Sequence, residues 1–313
     1  MEENIIDLGE IGNLGGAGAA NTGTTTGDSN AQTSISGAPN SGTIGEEPLD
    51  PTKIQVTIGD KKSPIVMLFG ARSSGKSMTL LRLANFLNKS GYSIVVDSTF
   101  RPGEKYRQMC AEFNKRMASF QAQDSTALND FMLVKVVKNG NTICQFLEAP
   151  GEHYFDPTNI AATNFPPYLS TVTGMPNRKI WIFIAESNWQ VDAQVKSAYV
   201  GRIANCKNML MTPTDRTIIL NNKIDLKPHL IYSKGRVHPK PAMQEVDNEY
   251  PGIFNVFKNE GLFSSIWRSH NCKYVPFTTG TYSVAYDGTQ SYVPSADEWA
   301  SQFWNNILDC LKG

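Results

Sequence analysis

Two short stretches of this 313-residue chain carry residue types at spacings that do chemistry. The first is Gly70-Ala71-Arg72-Ser73-Ser74-Gly75-Lys76-Ser77, which fits the pattern G-x-x-x-x-G-K-[ST] in full. In such a loop the glycines let backbone N–H groups turn inward toward phosphate oxygens, and the helix that follows offers its positive end to the anion. The lysine reaches the terminal phosphates and the hydroxyl after it binds Mg²⁺. The expected phosphate set is Gly70, Arg72, Ser73, Ser74, Gly75, Lys76, Ser77 and Met78.

The second stretch is Asn222-Lys223-Ile224-Asp225. Guanine presents two adjacent donors, N1–H and its 2-amino group, and one carboxylate accepts from both. Adenine offers no such pair. Asp225 is therefore the natural reader of a guanine edge, because a mismatched base leaves buried polar groups unpaired. Asn222 would brace neighbouring loops, and the Lys223 stem would cover the base plane. The bland alternative is a capping Asp after a strand-end turn.

These stretches need a scaffold, and the apolar pattern supplies one. Ile65–Phe69 is a continuous apolar run, as in a strand buried on both faces, and Met78–Leu87 carries leucines at helical spacing. Further strands are expected at Tyr92–Val96, Phe131–Val137, Thr142–Leu147, Ile180–Ala185, Thr217–Leu220 and Tyr274–Phe277. Helices are expected at Glu104–Phe120, Val191–Met209, Phe254–Trp267 and Ala296–Leu311. Asn139-Gly140 marks a hairpin. Strands alternating with helices predict an α/β fold with a mainly parallel sheet and one antiparallel hairpin strand.

Composition bounds the rest. Lys plus Arg equal Asp plus Glu at 29 each, but residues 1–50 hold eight acids and no Lys or Arg. The remainder is a basic body suited to an anionic ligand, and it has no basic block that would mark a nucleic-acid surface. Residues 1–52 read as an acidic, Gly/Ser/Thr-rich tail that buries too little to order itself, and residues 53–313 as the folded domain. No apolar stretch reaches the roughly 18 residues of a membrane span. The five cysteines are scattered without CxxC spacing, and with no secretory signal at the N-terminus this predicts a reduced, cytoplasmic protein.

With these motifs in this order the chain resembles the Ras-like P-loop GTPases of the translation-factor-related (TRAFAC) class, over about residues 65–311. The resemblance implies a three-layer P-loop fold with helices on both faces, GTP or GDP as ligand, Mg²⁺, and a protein effector or activator. It implies a role for Glu148-Ala149-Pro150-Gly151, which matches the family's D-x-x-G with Glu in place of Asp. Glu148 and Ser77 would then hold the metal and Gly151 would sense the γ-phosphate. Thr278-Thr279-Gly280 resembles the final loop, whose backbone meets guanine O6. Glu152 and His153 stand where the family positions the attacking water, and Lys76 completes the catalytic set. Thr126 is the first candidate for the metal-sensing threonine and Thr99 the second. Residues 95–103, with Asp97 and Arg101, are similar to a strand–loop segment of signal-recognition-particle GTPases, so residues 91–120 read as an insertion. Long switch segments, 121–130 and 151–177, would form a partner-facing lid. Two other readings stay open: a P-loop ATPase or kinase, and a non-hydrolysing, nucleotide-stabilised interaction module.

Overall fold

A computed structural model of the chain describes residues 53–119, 131–162, 164–259, 270–284 and 290–312, all within the unit Thr43–Gly313. The expected tail 1–52 and the whole segment 121–130, with Thr126, lie outside the described residues.

The apolar runs become strands because each is covered on both faces. β1 (Ile65–Phe69) is buried throughout, and β5 (Lys179–Glu186) and β6 (Arg216–Asn222) nearly so. They form the middle of a seven-stranded sheet together with β2 (Ser93–Val96), β3 (Met132–Lys138), β4 (Asn141–Glu148) and β9 (Lys273–Pro276). The order across the sheet is β2-β3-β4-β1-β5-β6-β9. β3 runs antiparallel to both neighbours and all other pairings are parallel. The antiparallel strand follows from Asn139 and Gly140, at φ 51° and 77°, where a two-residue turn with the strand's own twist requires positive φ. β2 lies at the sheet's edge.

Helices cover the sheet. α1 (Lys76–Lys89) packs against α2 (Glu104–Ser119), β4 and the last helix, α6 (Asp297–Lys312); α3 (Pro167–Gly174) packs against α4 (Ala193–Leu210). The Asp192 carboxylate caps α4 by accepting from the Val195 N–H at 2.8 Å. α6 buries Trp299, Phe303, Trp304 and Ile307 on one stripe. The architecture is the three-layer α/β P-loop fold.

Two expectations need correction, and three elements go beyond them. Residues 166–175 are not a helix-free lid: Pro167 sits at the first helical position, where its missing N–H costs nothing, and α3 buries Tyr168, Leu169 and Val172. Phe254 opens turns and a 3₁₀ turn (Asn255–Phe257) instead of a long helix, and residues 260–269 lie outside the described residues. The sequence also concealed α5 (Pro239–Glu249) and two small hairpins, β7–β8 (Ile231–Ser233, Arg236–Val237) and β10–β11 (Gly280–Val284, Gln290–Pro294). Among the described residues no helix is long and apolar enough to cross a membrane.

Arg82 fixes α1 against the start of the last helix. It lies on α1, is 1% exposed, and donates to the Ser295 carbonyl at 2.6 Å, the Ser295 hydroxyl at 3.1 Å and Asp297 at 2.6 Å. Arg82→Ala should lower unfolding stability by roughly 3 kcal/mol, because it leaves a void and a carbonyl without its donor; urea titration checks this.

Candidate functional site

The C-terminal edge of a parallel sheet is where its loops can converge on a ligand. The loop Gly70–Gly75 leaves β1 there, the turn Gly151–His153 follows β4, and Lys223–Leu226 follows β6.

The phosphate loop ends at Gly75, the residue before α1. Its φ of 85° suits glycine, and a Cβ there would stand 2.6 Å from Asn222 Nδ2. Asn222 comes this close because its side chain crosses to the loop: Nδ2 donates to the Ser74 carbonyl at 2.9 Å. Lys223 reaches the same loop, with Nζ 3.4 Å from the Ser73 carbonyl. Asn222 and Lys223 thus both reach back from the end of β6 to the loop that follows β1. Asp225 is exposed on the turn that follows. Thr278 and Thr279 are buried nearby in the chain's path: Asn221 accepts from Phe277 N–H, and Ile224 N–H donates to the Phe277 carbonyl. The Thr278 and Thr279 carbonyls are tied to Ser295 and Tyr292, which links this loop through Ser295 to Arg82 on α1.

Lys76 is 6% exposed and folds its ammonium onto the Gly70 and Ala71 carbonyls, at 3.1 and 3.0 Å. Burial pulls its pKa down to about 8, against the opposing pull of Glu148 and Glu152. Glu148 ends β4 and is 1% exposed; burial pushes its carboxyl up to about 7, although the Ser77 hydroxyl donates to Oε1. Its Oε2 has no hydrogen-bond partner among the described residues. A carboxylate oxygen left over beside a hydroxyl fits a divalent cation. No group of three or more His, Cys, Asp or Glu gathers among the described residues. Such an ion would therefore take the rest of its shell from phosphates and water, which is the habit of Mg²⁺.

The turn after Glu148 rests on the phosphate loop. A Cβ at Gly151 would lie 2.3 Å from the Arg72 amide nitrogen, so only glycine allows this contact. Glu152 pairs with Arg72 at 3.4 Å, and the Arg72 side chain is 60% exposed. His153 does not face solvent as a free water-orienting base. Its ring is 5% exposed, Nδ1 lies 2.8 Å from the Tyr168 hydroxyl, and it sits edge-on to Phe131.

A scan against protein-family models finds no match, and neither does a search of curated proteins. Solved structures give weak matches: the bacterial selenocysteine-specific elongation factor EF-Sec (13% identity, TM-score 0.34) and the S. cerevisiae Ski7 GTPase-like domain, bound to GTP (13%, 0.39) or to GDP and inorganic phosphate (12%, 0.39). Each covers 80% of this chain, while the chain spans 29% of the EF-Sec chain and 50% of the Ski7 chains. At these scores the likeness says nothing about chemistry.

The remaining sequence candidates fall outside this edge cluster or serve to hold it. Asp97 accepts from the Thr99 N–H and hydroxyl, at 3.0 and 2.6 Å, and pairs with Lys135 at 2.8 Å. Thr99 therefore locks a turn. Arg101 donates to the Phe131 carbonyl at 2.7 Å with its guanidinium 4.0 Å from that ring's centre. Arg202 of α4 was not anticipated. It donates to the Tyr154 and Asn164 carbonyls and lies 3.6 Å over Phe165, fastening the segment after the Gly151 turn. Only contacts far apart in the chain reveal it.

The ligand-free site has a pH signature. A carboxyl whose folded pKa lies above its unfolded value contributes stability that is complete below about 4.5 and lost as pH rises through about 7. Ligand-free protein in chelator should therefore lose up to roughly 3 kcal/mol from Glu148 between pH 5 and 8. Glu148→Gln should flatten that slope in urea unfolding. Lys76, depressed to about 8, has the opposite sign: its contribution is complete above about 10.5 and lost as pH falls through 8.

Proposed function

We propose that this chain binds guanine nucleotides and hydrolyses GTP with Mg²⁺, acting as a molecular switch. The observation that carries the reading is the 2.9 Å bond from Asn222 to the Ser74 carbonyl, which joins the base-reading motif to the phosphate loop at one sheet edge. A nucleotide needs such a pair of loops, one for its charge and one for its base. That two of the weakly matching structures hold GTP or GDP agrees with this reading without supporting it.

In this reading the N–H groups of Gly70–Ser77 and the start of α1 cradle the phosphates. Lys76 exchanges its two carbonyl partners for phosphate oxygens. Asp225 accepts from guanine N1–H and the 2-amino group, the Lys223 stem lies against the base, and Thr278 and Thr279 line the far side. Mg²⁺, held by Ser77 and Glu148, would neutralise charge developing on the phosphates. Gly151 lies where a γ-phosphate would press on the switch turn. Glu152, beside it, accepts the proton of the attacking water as that oxygen bonds to phosphorus and GDP leaves. Arg72 exchanges its Glu152 partner for the γ-phosphate. His153 acts by position, holding the turn to Tyr168.

One observation favours a second reading, a nucleotide-stabilised interaction module. Glu152 is engaged by Arg72 and His153 by Tyr168, so neither stands free to orient water. Single-turnover hydrolysis with Mg²⁺ separates the two: product forming on the enzyme supports the switch, and bound GTP that persists for hours supports the module.

The guanine reading is tested by competition. GTP and GDP should displace a labelled guanine nucleotide at least 100-fold better than ATP does. Asp225→Asn should move preference from guanine toward xanthine nucleotides by roughly the same factor, since the donor and acceptor at the 2-position are exchanged. Equal displacement by ATP, or an unmoved preference in the variant, would remove Asp225 as the reader.

A further inference from the structure

The base-reading lysine is held from behind by a residue outside both motifs. Glu186 is the last residue of β5, the strand between β1 and β6. Its Oε1 accepts from the Lys223 ammonium, which also faces the Ser73 carbonyl at 3.4 Å. The carboxylate side chain is only 12% exposed and that of Lys223 36%, so the acid is withdrawn from water and the ammonium lies at its margin. The backbone of Glu186 is fixed as well. A single hydroxyl, that of Tyr250, accepts from its N–H at 3.0 Å and donates to its carbonyl at 2.9 Å. Tyr250 is 1% exposed and follows α5 directly. The next residue, Ser187, donates its N–H to the Asn222 carbonyl at 2.9 Å and its hydroxyl to Asn221 at 2.7 Å.

Lys223 and the Ser73 it contacts share an uncommon backbone. Ser73 has φ 61° and Lys223 φ 57°, both in the left-handed region where a residue with a Cβ is strained. Strain of this kind persists only where surrounding contacts over-determine it. The contact that reaches both is the Lys223 ammonium, and the charge that directs it is Glu186. An unopposed ammonium at this depth would turn to solvent and carry its stem away from the base plane.

We propose that Glu186, clipped by Tyr250, is a positioning residue for purine recognition: it pins the Lys223 ammonium against the Ser73 carbonyl and so sets the base-reading turn and the phosphate loop in binding register before the nucleotide arrives. This rests on the nucleotide reading above. Glu186 touches no ligand itself. It acts through Lys223, by lowering the ordering cost that binding otherwise carries.

The test is a double-mutant cycle on the full chain with GTP and GDP, using Glu186→Gln, Lys223→Met and the double variant. Glu186→Gln should weaken both nucleotides about tenfold, mainly through faster dissociation. It should leave the guanine-over-xanthine ratio and the single-turnover rate at saturation unchanged. In the Lys223→Met background the same change should have no further effect on affinity. A general structural role would instead lower the thermal midpoint and give losses that add across the cycle. Tyr250→Phe keeps the ring but removes the clip, and should reproduce a part of the Glu186→Gln loss that also vanishes without Lys223. Additive losses, or parental affinity in Glu186→Gln, overturn the proposal while the parental protein's binding of GTP leaves the guanine reading standing. A parental chain that binds no purine nucleotide overturns both.

Discussion

One side-chain amide hydrogen bond determines whether this edge of the sheet is a single site or two unrelated turns. β1 and β6 are separated by β5, so their ends stand about 10 Å apart, twice the spacing of neighbouring strands. The loops leaving them close that gap by curling toward each other, and the Asn222 amide meets the Ser74 carbonyl across it. Everything else depends on this meeting. Gly75 has no side chain because Asn222 occupies that space, and Lys223 follows Asn222 into a left-handed turn that aims its ammonium back at Ser73. The bond uses a neutral group on each side, so it holds with or without a charged ligand between the loops.

The charges around it behave differently. Lys76 and Glu148 are buried at the heart of the site, and burial alone moves one pKa down and the other up. Each charged form therefore costs the ligand-free fold stability, which the central strands β1, β5 and β6 offset with their continuous apolar burial. Such an expense is typical of sites where function, not stability, selects the residue. The unsatisfied Glu148 Oε2 belongs to the same pattern.

The turn at Gly151 connects this centre to the rest of the molecule. It touches the phosphate loop at Arg72, and two residues later His153 enters an aromatic column. Tyr168 stacks on Phe131 at 4.0 Å, and Phe131 lies under the Arg101 guanidinium. Arg101 in turn sits 5.2 Å from Tyr106, whose hydroxyl donates to the Asp97 carbonyl. The added strand β2 and helix α2 are thereby joined to the turn by packed rings. This gives Asp97 and Arg101 a structural account with no ligand in it. Residues 97–106 thus serve as a wall for the column.

The difference between what could be read from the chain and what could not is one of distance along it. Gly70–Ser77, the Asn139-Gly140 turn and the run Ile65–Phe69 are legible because their physics is local: a loop geometry, a pair of positive φ angles, a strand with no exposed face. Asn222–Asp225 was legible because, in the proposed reading, adjacent residues divide the work of one base. The helix Pro167–Gly174 was not legible, since a proline breaks a helix interior yet starts a helix at its first position, and only the burial of Tyr168 and Leu169 decides between them. His153 misled for the same reason: its neighbours in sequence suggested solvent, and its neighbours in space are Phe131 and Tyr168. Glu186 was the least visible. A charged residue closing an apolar strand at the ligand edge is a weak sign, and its meaning comes from Lys223, 37 residues on, and Tyr250, 64 residues on. Residues that touch a nucleotide cluster in motifs because one ligand group needs several atoms at once. Residues that hold those motifs in place have no such constraint, so they scatter along the chain and are found only where the chain meets itself.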